Sequence, residues 1–235
     1  LSTWTNLVNS GTNDGTPTSV TETILIPQGV DSTRDNQGFI MNRQKDTSCL
    51  NFINKAGMLT PFKNDRVEVV PFTDLIADGA STASMECWVK ANGAAGSDDY
   101  CTFAGERTGK NILLCGRTST GKAQAIYKLT ANGNTNDLES TSTDIFDNNW
   151  HHIAFTFGES DGVGKLYIDG SQEDTVTYTS DTLDTDAATF YVGGGDDAAA
   201  RNFNGKVDGI LVYSDALDST EITRNYNATK GSHRN

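Results

Sequence analysis

The stretch that most constrains this chain is Asn148–Gly170, NNWHHIAFTFGESDGVGKLYIDG. Trp150, His152, Ala154 and Thr156 fall on one parity, and His151, Ile153, Phe155 and Phe157 on the other. Apolar side chains on both parities predict a strand covered on each side. Gly158–Gly164, with Asp161-Gly162 inside it, is turn chemistry, and Lys165–Ile168 is the return strand. Asp169-Gly170 then supplies the positive φ of a tight hairpin turn. A segment that needs cover on two faces cannot stand alone, so the rest of the chain has to supply that cover.

The remaining sequence supplies more strands. Period-two runs recur at Ser19–Pro27, Cys49–Ile53, Arg66–Val70, Ser84–Lys90, Tyr100–Ala104, Asn111–Cys115, Ala123–Leu129, Gln172–Tyr178, Ala188–Val192 and Phe203–Tyr213. Weaker pieces lie near Leu1–Gly15, Phe39–Met41 and Leu138–Thr141. About a dozen short strands with turn signals every ~8–12 residues predict a two-sheet antiparallel sandwich. Gly205 and Gly209 allow bulges in the last strand. Leu217–Tyr226 is the one helix expected. Asp218 or Ser219 caps it, Glu221 reciprocates, and Leu217 and Ile222 face the sheet. The polar tail Lys230–Asn235 is expected to fray.

Composition excludes some functions. With 31 acidic against 18 basic residues, the net charge of −13 repels phosphate backbones, so nucleic acid is not an expected partner. No apolar run approaches the roughly 20 residues that span a bilayer, and no membrane partner is expected. Leu1–Gly11 carries neither a basic n-region nor an apolar h-region, so no secretory leader is expected within it. Cys49, Cys87, Cys101 and Cys115 lack close C-x-x-C spacing. Cys87 and Cys115 sit in apolar runs and read as small buried side chains. A disulfide framework is possible but not indicated.

The ordered motifs LNF, RVEVV, SMECWVK, NNWHHIAFTF, GKLYIDG, ATFYVGGG and FNGKVDGILVYSDALDSTEI resemble the laminin-G-like, concanavalin-A-like jelly roll. The resemblance covers roughly Cys49–Tyr226. It implies an all-β, two-sheet antiparallel jelly-roll sandwich with one short C-terminal helix. The division it suggests is 1–48, an N-terminal strand and extended segment packing on the sandwich, and 49–235, the jelly roll, within one structural domain. Trp88 and Trp150 are expected to fill the space between the sheets. Related jelly rolls hold Ca²⁺ through an acid in the final strand. Here Asp208 takes that place, and Gly209 replaces the second acid. A bond to backbone amides is the other reading of Asp208. Gly193–Asp197 (GGGDD) is a second candidate, or a turn.

Catalysis is not expected. Related glycosidases carry close carboxylates in an E-x-D-x-x-E run, which is missing here. Glu68 and Glu86 are strand carboxylates on different strands, with Glu86 on the same parity as Trp88. His151 and His152 must point to opposite faces and cannot share one ion, and His233 lies in the tail. No G-x-S-x-G elbow or P-loop occurs. Within Gly11–Asn51, the run TETILIPQGVDSTRDNQGF is similar to segments of tailed-phage structural proteins. That likeness implies a non-enzymatic subunit at the virion surface, as a capsid decoration, knob or fibre. Its partners would be other virion proteins or further copies of itself, with glycans of a host surface as ligands. A glycan-active enzyme, a carbohydrate-binding appendage and an extracellular adhesion domain are the alternatives.

Overall fold

Among the described residues, fourteen strands build two antiparallel sheets. In chain order they are β1 (Thr16–Thr18), β2 (Phe39–Gln44), β3 (Thr47–Phe52), β4 (Arg66–Val69), β5 (Thr82–Ala94), β6 (Tyr100–Gly105) and β7 (Leu113–Arg117). Then come β8 (Lys122–Lys128), β9 (Thr135–Glu139), β10 (Trp150–Gly158), β11 (Val163–Ile168), β12 (Ser171–Thr177), β13 (Phe190–Val192) and β14 (Phe203–Tyr213). Helix α1 (Ser219–Thr229) and a 3₁₀ turn, Lys230–Ser232, follow. The first sheet runs β1-β4-β13-β6-β7-β8-β9, and the second β12-β11-β10-β5-β14-β3-β2. The computed structural model describes residues 16–18, 39–44, 47–52, 66–69, 73, 75–94, 99–106, 112–130, 135–142, 144–158, 163–177, 181–186, 189–194, 201 and 203–233. The strand expected at Ser19–Pro27 and all of Leu1–Gly15 fall outside them. Segment 1–48 contributes β1 and β2, which sit at one end of each sheet.

Side-chain parity places the core. In β5, Ala83, Met85, Cys87 and Val89 point inward; in β10, Ile153, Phe155 and Phe157 do. The first sheet answers with Phe103, Leu114, Ala123, Ala125, Tyr127 and Leu138. Phe103 meets Phe203 edge to face at 5.1 Å, and Tyr127 meets Phe155 at 4.8 Å. Burying each large ring contributes about 2–3 kcal/mol. Gly164 has to be glycine, because a Cβ there would lie 2.5 Å from the Tyr127 hydroxyl.

Neither Trp88 nor Trp150 lies between the sheets. Trp88 and Trp150 share the parity of Glu86 and His152, which is the outer face of the second sheet. The inward parity of both strands is already taken by aliphatic and phenyl side chains. Trp88 is still only 4 % exposed, because α1 and the tail lie over it.

The turns follow their sequence. Asp169 and Gly170 have φ of 53° and 79°, the pair of left-handed residues that a two-residue hairpin requires. The β14 register shifts at Gly205 and again beside Gly209, with φ of 151° and 56°. Asp218, not Ser219, caps α1: it accepts from the Glu221 amide at 2.8 Å while Glu221 accepts from the Asp218 amide at 3.1 Å. One edge of the sandwich is closed by acids of β12. Asp174 takes the Glu139 amide, and Glu173 takes four donors from Thr141 and Ser142. Burial pushes the Glu173 pKa up, but the donors outweigh it and hold it down to about 2.

Candidate functional site

Two outer faces carry the polar side chains that bear on function. On the second sheet, α1 packs through Ile222, which is buried with Ala154 and Tyr167, and Leu217 joins them. Beneath the helix lies Glu86, 2 % exposed. Its Oε1 accepts from the Tyr213 hydroxyl at 2.9 Å and from Asn225 Nδ2 at 3.1 Å, and its Oε2 lies 3.4 Å from His152 Nε2. Burial pushes the Glu86 pKa up, but the bonds from His152, Tyr213 and Asn225 prevail and leave it below the usual carboxylate value. Burial and the Glu86 charge together push the Tyr213 hydroxyl up. His152 is also 2 % exposed, and its Nδ1 has no hydrogen-bond partner. A carboxylate beside an imidazole has acid–base capacity, but a substrate atom would need to come within about 3 Å of it. With both groups sealed under α1, the arrangement works as an anchor for the helix.

The tail continues this layer. His233 stacks on Trp88 with centroids 4.2 Å apart and planes 4° apart, and meets Trp150 edge-on at 5.0 Å. Its Nδ1 faces the Thr229 carbonyl at 3.0 Å and its Nε2 faces Asp208 Oδ2 at 2.9 Å. The tail is therefore docked, not frayed, through His233. The stacked ring and its two hydrogen bonds oppose the ordering entropy of the short chain. Asp208 Oδ1 accepts from the Gly209 amide at 2.8 Å. Both Asp208 oxygens thus already face donors within the protein. A Ca²⁺ shell needs about six to eight oxygens, and the described residues supply one carboxylate of it here. Among the described residues no group of three or more His, Cys, Asp or Glu gathers to hold a metal. Of the GGGDD candidate, Asp196 and Asp197 lie outside the described residues.

His151 and His152 do point to opposite faces. His151 is held between two acids, Nδ1 to Asp169 Oδ2 at 2.8 Å and Nε2 to Asp147 Oδ1 at 3.1 Å. Asp169 Oδ1 also takes the His152 backbone amide at 2.8 Å. Burial pushes the His151 pKa down, but Asp169 and Asp147 override it and raise it. This clasp ties the Asp169-Gly170 hairpin to the start of β10. Cys87 and Cys101 carry free thiols, and burial raises that of Cys101 to about 12. Neither is a nucleophile at neutral pH.

The outer face of the first sheet is different. Strand pairing places Tyr100 opposite Arg117, Arg117 opposite Lys122, and Gln124 opposite Glu139. The Arg117 side chain is 37 % exposed. Its Nε donates to Asp99 Oδ2 at 2.8 Å, its Nη1 to Glu139 Oε2 at 3.4 Å, and its guanidinium lies 5.8 Å from the Tyr100 ring centroid. Asp99 also takes Thr118 and Ser119, so the β7–β8 turn is fixed to it. The Arg117 hydrogen bond first, then Ser119, hold the Asp99 carboxyl well below its usual range. Gln124 Nε2 donates to Glu139 at 2.5 Å, while its buried Oε1 has no hydrogen-bond partner. The same face buries Leu113 and Cys115 of β7 and Ile126 of β8 as a small separate cluster, against which Tyr100 packs. The geometry is a fixed guanidinium and an aromatic ring side by side, with the Gln124 amide buried beside them at 3 % exposure, and a guanidinium next to a ring is chemistry suited to hydroxyl-rich ligands.

Sequence reading did not single out Tyr100, Arg117, Gln124 and Glu139. The parity of the first three within YCTFA, LLCGR and KAQAIYK was visible, but the register joining four strands, β6 to β9, was not. Glu68 and Glu86, the two acids weighed for hydrolysis, lie in β4 and β5 and hence in different sheets.

Residues 63–223 match the family model described as the concanavalin A-like lectin/glucanases superfamily. No match is found among curated proteins. Among solved structures, the binding domain of botulinum neurotoxin serotype G is similar at TM-score 0.64 and 10 % identity, over 95 % of this chain and 48 % of that one. The binding domain of Paraclostridial Mosquitocidal Protein 1 is similar at TM-score 0.61 and 15 % identity, over 83 % of this chain and 47 % of that one. The CBM40 module of the Ruminococcus gnavus IT-sialidase follows at TM-score 0.52 and 14 % identity, over 63 % of this chain and 84 % of that one. The chain spans less than half the length of either toxin domain.

Proposed function

Because the chain belongs to the concanavalin A-like lectin/glucanase superfamily, we propose that it is a non-enzymatic glycan-binding module that presents the outer face of its first sheet to the sugar. The observation that carries this is the Tyr100–Arg117 platform, whose guanidinium is held in place by Asp99 and Glu139 before any ligand arrives, with Gln124 buried behind it on Glu139. Groups fixed in advance spare a ligand their ordering entropy. A held guanidinium offers donors to sugar hydroxyls or a sugar carboxylate, and the Tyr100 ring offers a face for an apolar C–H edge. The Ruminococcus module has been solved with α2,3-sialyllactose, which makes that sugar a suitable first probe.

Calorimetry against a panel of α2,3-sialyllactose and neutral oligosaccharides tests the reading. Binding should appear for at least one sugar and weaken at least tenfold in Arg117→Ala and in Tyr100→Ala. Failure of the whole panel to bind, or full affinity in Arg117→Ala, sinks it. Release of reducing ends that vanishes in Glu86→Gln would instead establish the hydrolytic alternative.

Two finer parts of the reading rest on resemblance. The first is a place at the virion surface beside other virion proteins or further copies of the chain, with an extracellular setting as the alternative. It is motivated by residues 21–39, which lie almost wholly outside the described residues. Absence of the chain from purified particles would discard it. The second is Ca²⁺ at Asp208, where the ion would have to displace His233 from Oδ2. A melting-temperature rise with CaCl₂ that is reversed by chelator and missing in Asp208→Asn would support the ion; identical melts with and without it would dismiss it. No helix among the described residues is long and apolar enough to cross a membrane.

A further inference from the structure

We propose that the cleft formed by Trp88, Trp150, Asp208 and the Thr229 carbonyl is a second binding site, for an arginine or histidine side chain of a basic peptide segment, and that His233 masks it in the resting chain. The occupant itself shows what the cleft accepts. A flat ring lies parallel on Trp88 and edge-on to Trp150. Acceptors meet it on two sides, Asp208 Oδ2 at 2.9 Å and the Thr229 carbonyl at 3.0 Å. A carbonyl and a carboxylate both accept, so the complement is a planar group that donates from two edges. Imidazolium and guanidinium have that shape, and an indole face favours their charge.

The walls do not depend on the occupant. Trp88 stands on β5, Trp150 on β10, Asp208 on β14 and Thr229 at the end of α1. The Trp88 Nε1 donates to Thr229 Oγ1 at 2.9 Å, and Tyr226 stacks on its ring at 5.7 Å, which fixes the platform. The occupant, by contrast, hangs on a short arm. Lys230, Gly231 and Ser232 are exposed, and a Cβ at Gly231 would meet nothing within 4 Å. The His233 side chain at the end of that arm is only 6 % exposed. Lys230 stays on α1 through Asn227 Oδ1 at 2.6 Å and the Tyr226 ring at 5.2 Å, so within the cleft a competing ligand needs to displace one stacked ring and its two hydrogen bonds. A chain of net charge −13 draws basic segments toward it.

A tethered side chain competes at an effective concentration on the order of millimolar. The test uses a chain ending at Thr229, the full chain, and the labelled peptides acetyl-KGSHRN-amide, acetyl-KGSRRN-amide and acetyl-KGSARN-amide. Fluorescence anisotropy should show the shortened chain binding the first two peptides at least tenfold more tightly than the full chain does, and the alanine peptide at least tenfold more weakly. Asp208→Asn in the shortened chain should cost a further tenfold. His233→Ala in the full chain is the second variant, should the shortened chain fail to fold, and should unmask the site equally. A folded shortened chain that ignores all three peptides overturns the proposal. So does equal binding by shortened and full chains, or binding that Asp208→Asn leaves unchanged. Sugar binding at Arg117 is measured separately and stands or falls on its own.

Discussion

The outer faces of the two sheets hold similar side chains in opposite circumstances. On the second sheet, Glu86, His152 and Trp88 are at most 4 % exposed beneath α1. On the first, Asp99, Glu139, Arg117 and Tyr100 likewise bring together acid, nitrogen donor and aromatic ring, at the surface. The chemistry of the residue types is alike, so burial decides the role. A sealed carboxylate with three donor groups around it holds a helix down. An exposed guanidinium held by two acids keeps its shape for a ligand at little energetic stake. Candidate acids in a sequence therefore say little about hydrolysis until it is known which sheet face is covered.

Substitutions that separate the two faces sharpen this contrast. The largest effect is expected at Glu86→Ala, which leaves His152, Tyr213 and Asn225 without their common partner. Removing one member of a buried charged network costs about 3–5 kcal/mol, to be read from urea midpoints. An effect below 1 kcal/mol would show that the sealed face is not an anchor. Next comes the His151 clasp, where charge-assisted hydrogen bonds contribute about 1.5–3 kcal/mol. The raised His151 pKa makes this contribution complete below the imidazole's ordinary value and lost as pH rises through the folded value above it. The Asp147 pKa is lowered against the push of its own burial, by Asn149 first and then His151, so its contribution is lost as pH falls through that depressed value. Stability should thus peak on the mildly acidic side of neutrality, and His151→Gln should flatten the decline above it. Asp218→Ala removes the capping box of α1 and should cost about 1 kcal/mol by thermal melting. Least of all, Arg117→Ala on the exposed face should alter stability by about 0–1 kcal/mol while abolishing sugar binding. A large stability loss there would make the two faces equivalent and remove the basis for assigning them different roles.

Much of the fold was legible because parity and turn chemistry are local. β14 runs from Phe203 to Tyr213 as its sequence suggests, and the Asp169-Gly170 turn, the bulges beside Gly205 and Gly209 and the Asp218–Glu221 box all fall where their residues predict. Even the double cover of β10 was visible, since both parities of WHHIAFTF are apolar; the core covers one and α1 the other. Trp88 and Trp150 lie on the opposite face to the one expected of them. Their bulk suggested the space between the sheets, although the shared parity of Trp88 with Glu86 pointed outward.

The sequence by itself determined the strands, their turns and the helix cap, because each rests on the steric and hydrogen-bonding preferences of residues close in the chain. Only the tertiary structure decided which outer face is sealed, which acids gather on Arg117, and that His233 lies on Trp88. Those contacts join residues from about 18 to 145 positions apart, and alternation along one strand carries no information about which other strand, helix or tail will be laid against it.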